Sequence, residues 1–308
     1  MYSAKVIADS VNPAGVRLTT IECSYPLMVH AEHLRHRVFS RSSDDDFAAV
    51  NVEEFSYSVA SNRAIPTRLM LDQVRTDPVI PTWWGKNQPG MSAREELTGF
   101  AMAFVQRLWR IERWFALAFA WMYLRAGLHK QLANRGLYKW QWVTVVVTGT
   151  DWSNWNALRC HPDAQPEIRT IAEMMREARE KSTPVQLEAG EWHLPYVTTN
   201  DRFEVRYLFP DAAKANNVLA RMSAARCARV SLVKQNVRYG NGIEIGKADT
   251  LQKSGHMSPF EAPCEALADD RRVANLRGYR SYRSQIKNEH DFSLLMNDQD
   301  QSSNKAAV

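Results

Sequence analysis

Apolar and polar positions alternate in two parts of the chain, and each part predicts β-structure. Residues 3–24 carry β-branched residues in partial alternation around an Asn-Pro-Ala-Gly turn, which predicts two strands that end at Pro26. Residues 140–148, with the sequence WQWVTVVVT, are aromatic and β-branched and predict a further strand.

Apolar positions at helical spacing predict the remaining elements. The clearest pattern covers residues 166–181, which begin with Pro166 and place Ile168, Ile171 and Met175 on one face. Weaker patterns predict helices over 27–39, 64–76, 214–230 and about 92–135, the last with a break near Gly127. Residues 183–212 predict mainly loops.

Composition and charge indicate a globular protein that binds anions. The 308 residues are 45% hydrophobic and 24% charged, which is enough apolar material for a sizeable core. The net charge of +5 suits phosphate-bearing ligands as well as nucleic acid. Because no run of five Lys or Arg residues occurs, a nucleic-acid partner is not expected.

The cysteines and the apolar runs predict a cytoplasmic protein without a metal site or a membrane partner. Cys23, Cys160, Cys227 and Cys264 form no Cys-x-x-Cys pair, so neither a metal site nor a disulfide framework is expected. The first ten residues lack the apolar core of a signal peptide. The most apolar run, residues 114–124, is too short to span a bilayer.

Two arginine-containing blocks are the first candidates for chemistry. Arg35-His36-Arg37 and Ser61-Asn62-Arg63 offer donors that suit a phosphate or a uracil-like edge, although a solvated helix face explains the first block equally well. The sequence LRCHPDAQPEI at 158–168 precedes a predicted helix, a position that favours anions. Within it, Cys160 fits either an activated thiolate or a buried thiol.

Two further blocks complete a recognisable set. ARVS stands at 228–231 and HMSPFE at 256–261. With the RHR block and the block at 158–168, they resemble the signatures of the flavin-dependent thymidylate synthases. Those enzymes carry RHR, seven residues and Ser-x-Arg, together with ARVS, H-x-[ST]-P-F-E and L-R-x₄-A-Q-x-E-I. The resemblance covers about 16–170 and 220–262.

The chain departs from the family pattern in block order and in one loop. ARVS and HMSPFE come last here but first in the family, which indicates a circular permutation and predicts that 256–262 packs beside the strand near 16–24. Positions 38–60 separate Arg37 from Ser61, where the family has seven residues, which indicates an acidic insertion of about 44–60. We expect one catalytic domain over 1–295 and a disordered polar tail over 296–308.

The resemblance implies a fold and a reaction. The fold would be α+β, with a mainly antiparallel central sheet packed against long helices. The reaction would be methylation of dUMP at C5 to dTMP, a step of nucleotide biosynthesis, with FAD as cofactor and with NADPH and methylene-tetrahydrofolate as co-substrates. The family works as a homotetramer with its sites at subunit interfaces, which implies the same assembly here.

The resemblance also implies roles for single residues. Arg159 would stabilise charge that develops at N3 and O4 of the uracil ring, and Ser61 would act beside it, so that no cysteine nucleophile is needed. The implied FAD contacts are Arg35, His36, Arg37, Asn154, Ser231, His256 and Ser258. The implied dUMP contacts are Glu32, Arg35, Ser61, Asn62, Arg63, Arg135 and Arg159, and Glu32 stands where the family commonly has glutamine.

Two other functions stay open at this point. The same fold and flavin could carry out another C5 modification, such as dUMP hydroxymethylation, if the insertion reshapes the pocket. Alternatively, the chain could be an inactive homologue or a basic protein that binds nucleic acid.

Overall fold

The computed structural model describes residues 1–34, 55–59, 65–89, 93–230, 241–287 and 289. Its strands are β1 (Ser3–Val11), β2 (Arg17–Pro26), β3 (Phe55–Val59), β4 (Trp142–Gly149), β5 (Val185–Gln186), β6 (Trp192–His193), β7 (Cys264–Ala266), β8 (Arg272–Val273), β9 (Leu276–Arg277) and β10 (Tyr279–Ser281). Its α-helices are α1 (His30–Leu34), α2 (Thr67–Thr76), α3 (Gly99–Arg125), α4 (Lys130–Ala133), α5 (Ser153–Arg159), α6 (Pro166–Lys181), α7 (Thr199–Leu208), α8 (Ala212–Cys227) and α9 (Asn241–Lys253). Short 3₁₀ helices cover Leu27–Val29, Arg135–Trp140, Ser258–Glu261 and Arg283–Gln285.

A five-stranded sheet organises the fold, with the strand order β3-β4-β2-β1-β5. The pairs β1–β2, β2–β4 and β3–β4 are antiparallel, and only the short β5 lies parallel to β1. The expected α+β architecture with a mainly antiparallel central sheet is therefore confirmed. Two smaller sheets, β10-β7-β6 and β8-β9, come from the C-terminal third of the chain.

Strand alternation gives the central sheet one apolar face and one mixed face. Ile21, Cys23 and Tyr25 of β2 and Val143, Val145 and Val147 of β4 point to the apolar face, because side chains on a strand alternate between its two sides. Helix α6 lies on this face with Ile168, Ile171, Ala172 and Met175 buried. Its start at Pro166, its end at Lys181 and its buried face agree with the sequence prediction.

The opposite face of the sheet is polar in its middle and is covered by C-terminal segments. His193 lies against this face, with Nδ1 hydrogen bonded to Ser10 Oγ and Nε2 to Thr20 Oγ1, each at 2.8 Å. Burial lowers the pKa of His193 to about 3, so the ring is neutral at ordinary pH. The buried Asn12 amide donates to the carbonyls of Leu267, at 3.1 Å, and Gly278, at 3.0 Å. His193 therefore joins the middle of the chain to β1 and β2, and Asn12 joins residues 267–278 to the end of β1.

A buried cluster of ion pairs joins α7, α8 and α9. The Arg226 guanidinium contacts the carboxylates of Asp201 at 2.7 Å and of Glu244 at 2.8 Å. Arg229 contacts the other oxygen of Glu244 at 2.6 Å. None of the four side chains is more than 11% exposed. Because each charge has a partner, the cluster avoids the cost of an unpaired buried charge.

Two predictions about elements need correction. Residues 199–208 form helix α7 inside the region predicted as loops, and a capping box between Thr198 and Asp201 begins it. Residues 55–59, assigned to the insertion, form the edge strand β3. The segment 256–262, predicted to pack beside β2, contacts β3 through its 3₁₀ helix and β4 through Ala262.

Two structural features are absent from the described residues. None of the helices in these ranges has the length and apolar character needed to cross a lipid bilayer. Within the same ranges, no three His, Cys, Asp or Glu side chains are grouped in a way that could hold a metal ion.

Candidate active site

Arg159 is the last residue of α5, and it contacts the turn that leads into the RHR block. Its Nη2 donates a hydrogen bond to the backbone carbonyl of Glu32 on α1 at 3.1 Å. The two residues are 127 positions apart in the sequence. The structure therefore brings together two residues that the family resemblance assigns to the nucleotide site.

Aromatic packing around His33 fixes α1 against α5. The His33 ring stacks on Tyr25 with centroids 4.8 Å apart and contacts Trp155 of α5 at 4.6 Å. Tyr57 of β3 meets the same ring edge-on, and its hydroxyl donates to the His33 carbonyl at 3.0 Å. These rings belong to the main core, so the position of Glu32 relative to Arg159 depends on rigid elements.

Two acceptor oxygens on α1 and α5, the helices that this contact joins, are buried without a hydrogen-bond partner among the described residues. They are Oε2 of Glu32 and Oδ1 of Asn156. Asn156 lies one turn before Arg159 on α5 and therefore on the same side of that helix. Because buried polar atoms in folded proteins nearly always have a partner, this pair indicates a place where a ligand can donate hydrogen bonds. No sequence pattern singled out Asn156.

Two other predicted contacts lie nearby in the chain but on exposed surface. Asn154 is the second residue of α5, and its side chain is exposed. Arg135 begins the 3₁₀ helix Arg135–Trp140, and its guanidinium lies 5.7 Å from the centre of the Tyr138 ring. Neither side chain is buried in the core, and nothing in the described structure joins either of them to the contact between Arg159 and Glu32.

His256 and Ser258 lie next to β3 on the opposite face of the sheet from α5. Ser258 begins the 3₁₀ helix Ser258–Glu261, which packs against β3. Ala262, just beyond it, packs with Val146, whose side chain leaves β4 on the face opposite Val145. His256 is exposed, and its Nδ1 is hydrogen bonded to Ser254 Oγ at 2.9 Å.

The remaining predicted site residues lie outside the described residues. They are Arg35, His36, Arg37, Ser61, Asn62, Arg63 and Ser231. Residues 44–54 and 60 of the predicted insertion and the predicted tail over 296–308 also lie outside them. The described residues that flank the RHR and Ser-Asn-Arg blocks are Leu34 at the end of α1, strand β3 between the two blocks, and Ile65 before α2.

The structure argues against a cysteine nucleophile. Burial raises the pKa of the Cys160 thiol, which packs against the main core, so the thiol rather than the thiolate prevails at neutral pH. Burial raises the pKa of Cys227 to about 12 and that of Cys264 well above its ordinary value.

Replacing Cys160 with alanine is expected to leave catalysis at the wild-type rate and to cost no more than about 1 kcal/mol of stability. The reason is that a protonated, half-buried thiol supplies packing and no reactive anion. Steady-state kinetics of Cys160→Ala beside Cys160→Ser measure this. A dead alanine variant that retains its fold would instead establish a thiolate mechanism.

Comparisons with known proteins agree with the family resemblance. The family model described as thymidylate synthase complementing protein matches residues 16–185. This range contains Glu32, Arg135, Asn154 and Arg159, whereas His256 and Ser258 lie beyond it.

Solved structures and curated sequences were also compared. Two crystal structures of a UMP/dUMP methylase PolB from Streptomyces cacaoi, bound with 5-Br UMP and 5-Br dUMP, resemble the chain with TM-scores of 0.45 and 0.44. Both are 14% identical to it over 59% of this chain, and the matches cover 89% and 90% of the PolB chains. No curated protein sequence matches.

Proposed function

The chain belongs to the family of thymidylate synthase complementing proteins, and we propose that it methylates dUMP at C5 to give dTMP, with FAD, NADPH and methylene-tetrahydrofolate. The observation that carries the proposal is the contact between Arg159 and Glu32. This contact joins a guanidinium to α1, three residues before the RHR block in sequence. Glu32 on α1 and Asn156 on α5 each carry a buried acceptor that lacks a partner among the described residues. Such a mixed group of donors and acceptors suits a nucleobase edge.

In this proposal Arg159 binds the uracil edge. Its side chain is half-buried and is positioned through its bond to the Glu32 carbonyl. Donation to O4 stabilises negative charge there and makes C5 a better nucleophile. One donor of this kind contributes on the order of 3–4 kcal/mol to the transition state.

The described residues fit a bound FAD in the chemistry of their donors. Asn154 lies on the opposite face of the sheet from His256 and Ser258, so these contacts with one FAD would come from different copies of the chain. Asn154 offers an exposed amide, His256 an exposed imidazole and Ser258 a half-buried hydroxyl, and these groups suit phosphate oxygens and the polar edge of a flavin. Arg35, His36, Arg37 and Ser231 would complete this set. At such a site, hydride transfer would be the chemistry that a bound FAD adds. Arg135, with Ser61, Asn62 and Arg63, would hold the dUMP phosphate.

An exposed apolar helix supports the proposed homotetramer. Helix α3 has 27 residues, of which only Leu117 and Ala120 are buried apolar side chains. Its exposed apolar side chains are Phe100, Phe104, Leu108, Ile111, Trp114, Phe115, Phe119, Trp121, Met122 and Tyr123. A helix that is apolar on most sides normally lies within a protein interior or an interface. We therefore propose that α3 packs against other copies of the chain, with the catalytic sites at the subunit interfaces.

Replacing Phe115 with aspartate is expected to weaken self-association by about 2 kcal/mol or more per contact, because a charge would be buried in an apolar interface. Phe115 is 62% exposed in the single chain, so the fold itself should tolerate the change. Light scattering coupled to size-exclusion chromatography measures the mass of the assembly. The control is Tyr207→Asp, which changes an aromatic residue that is 80% exposed on α7. An unchanged mass for Phe115→Asp would contradict the proposed interface.

We also propose that the block order reflects a circular permutation within a single catalytic domain of residues 1–295. Support comes from the contact between the 3₁₀ helix Ser258–Glu261 and strand β3 of the central sheet, which lies about 200 residues earlier in the sequence. The insertion of about 44–60 would then contribute an acidic loop and the edge strand β3.

The decisive experiment is a dTMP assay on the flavin-loaded protein. Formation of dTMP should require dUMP, methylene-tetrahydrofolate and NADPH together, and release of deuterium from C5 of labelled dUMP should accompany it. Mass spectrometry of the product distinguishes a methyl from a hydroxymethyl group. A hydroxymethyl product would move the reaction to a related C5 modification. A protein that binds no flavin and releases no deuterium would refute the proposal.

A further inference from the structure

A groove between helices α2 and α3 lies outside the candidate active site. Its volume is about 420 Å³, which falls within the range of small-molecule sites in proteins. The residues beneath it belong to the apolar cluster of α2, α3 and the 3₁₀ helix Arg135–Trp140, whereas α5 packs on the cluster of the central sheet. The polar and aromatic residues that line the groove are Arg68, Asp72 and Arg75 of α2 and Trp114 and Trp121 of α3.

The wall from α3 offers aromatic surface. Trp114 is 55% exposed and Trp121 is 54% exposed. The two residues are seven positions apart, so they lie on the same side of the helix, about 10 Å from each other along its axis. A guanidinium stacks on each ring, with Arg113 4.9 Å from the centre of Trp114 and Arg125 5.6 Å from the centre of Trp121. Exposed indoles beside cations are the surfaces on which nucleobases stack in proteins.

The wall from α2 offers positive charge. Arg68 and Arg75 are also seven positions apart, which is two turns of the helix. Arg75 pairs with Asp72 at 2.8 Å. The exposed Arg68, in contrast, has no carboxylate within ion-pair distance among the described residues. Because a guanidinium binds a phosphate through two parallel hydrogen bonds, Arg68 suits a phosphate group at this wall.

We propose that this groove is a binding site for a nucleoside phosphate, separate from the candidate active site. The base stacks on the indole of Trp114 or Trp121, and Arg68 binds the phosphates from the opposite wall. Stacking accepts any base, because every base has an aromatic face. The ligand is therefore recognised by its combination of a flat ring with phosphate groups. This inference does not depend on the proposed methylation of dUMP.

The groove and the proposed subunit interface use different sides of α3. Successive residues of an α-helix are about 100° apart around the axis, so Phe115, Phe119 and Met122 point about a third of a turn away from Trp114 and Trp121. Contacts between copies through that stripe of side chains leave the groove uncovered. The same protein can therefore assemble and bind a nucleotide here.

Isothermal titration with ATP, adenosine and inorganic tripolyphosphate tests the proposal, in the presence of excess dUMP. The groove variants are the double replacement Trp114→Leu/Trp121→Leu and the single replacement Arg68→Gln. The matched controls are Trp83→Leu, which changes a tryptophan outside the groove lining that is 36% exposed, and Arg176→Gln on the exposed side of α6. Thermal unfolding of each variant shows whether it retains the fold.

The wild type should bind ATP at least about tenfold more tightly than adenosine or tripolyphosphate, since ring and phosphates bind together. The double tryptophan variant should weaken ATP binding by about 5–150-fold, the factor that corresponds to the stacking of one base. Arg68→Gln should weaken it by about tenfold or more, because a hydrogen bond to a charged group is lost. Both controls should bind ATP like the wild type.

Three results would overturn the inference. The first is a wild type that binds ATP no better than its two parts. The second is an affinity for ATP that folded groove variants keep, or that the controls lose equally. The third is displacement of ATP by dUMP, which would place the nucleotide in the catalytic site. Formation of dTMP tests the proposed function separately, so that either conclusion can fail while the other stands.

Discussion

Arg159→Ala is expected to lower the rate of dTMP formation by a factor of about 10²–10³ or more, while the protein keeps its FAD. The substitution removes the only guanidinium that the structure joins to the Glu32 carbonyl within the described ranges. The flavin contacts proposed for Asn154, His256 and Ser258 do not involve this side chain. Single-turnover kinetics with dUMP, beside flavin absorbance of the purified protein, measure the two effects separately.

A matched control for this substitution is Arg176→Ala. Arg176 is an exposed arginine on α6 that reaches Glu180 at 4.0 Å, and an exposed pair at that distance contributes little to stability. This control should retain wild-type turnover. If Arg159→Ala kept most of its activity, the uracil-edge role of Arg159 would be excluded and the mechanism would have to place its charge stabilisation elsewhere.

Arg226→Met is expected to lower the free energy of unfolding by about 3–5 kcal/mol. Methionine preserves much of the side-chain volume but leaves Asp201 and Glu244 as buried carboxylates with one fewer cation. Chemical denaturation of the two proteins at pH 7 measures the difference. The control is Arg280→Met, whose 44% exposed guanidinium pairs with Glu265, and its loss should cost about 1 kcal/mol or less.

The same cluster predicts how stability changes with pH. Burial alone would raise the pKa of Asp201, but hydrogen bonds from Arg226 and Thr198 and the charge of Arg226 hold it well below its ordinary range. A lowered pKa in the folded state stabilises the protein above the unfolded value of about 3.9, and this contribution is lost as the pH falls through the folded value. Unfolding measured between about pH 5 and pH 2 should therefore show a steeper loss for wild type than for Arg226→Met. Parallel curves would show that Asp201 is not linked to the cluster.

Local periodicity predicted the elements that carry strong patterns of their own. Helix α6 begins at Pro166 and buries Ile168, Ile171 and Met175, as its apolar spacing indicates. Helix α7 was missed, because its capping box at Thr198 and Asp201 lies in a loop-rich region and only Asp201 and Val205 of the helix are buried. Strand β3 was missed because its alternation covers only five residues and becomes significant only beside β4.

The residues of the candidate site also include some that the sequence could select and one that only the folded structure shows. Arg159 and Glu32 could be selected from sequence blocks, and the structure shows that they touch. Asn156 could not be selected, because its importance comes from an amide oxygen that is buried without a partner among the described residues, and burial is a property of the folded chain. The arginine in ARVS at 228–231 has an unexpected role, since Arg229 pairs with Glu244 in the buried cluster. Block membership therefore does not separate ligand contacts from structural ion pairs.

The hydrogen bonds from Asn12 to the carbonyls of Leu267 and Gly278 have a consequence for synthesis. Asn12 emerges from the ribosome 255 residues before Leu267, the residue whose carbonyl it binds. At about 5–20 residues per second, roughly 10–50 s pass between the two events. Ser10 and Thr20 wait 183 and 173 residues for His193 in the same way. Contacts this distant in sequence form slowly. One face of the central sheet therefore stays exposed to solvent until His193 and Leu267 have been synthesised.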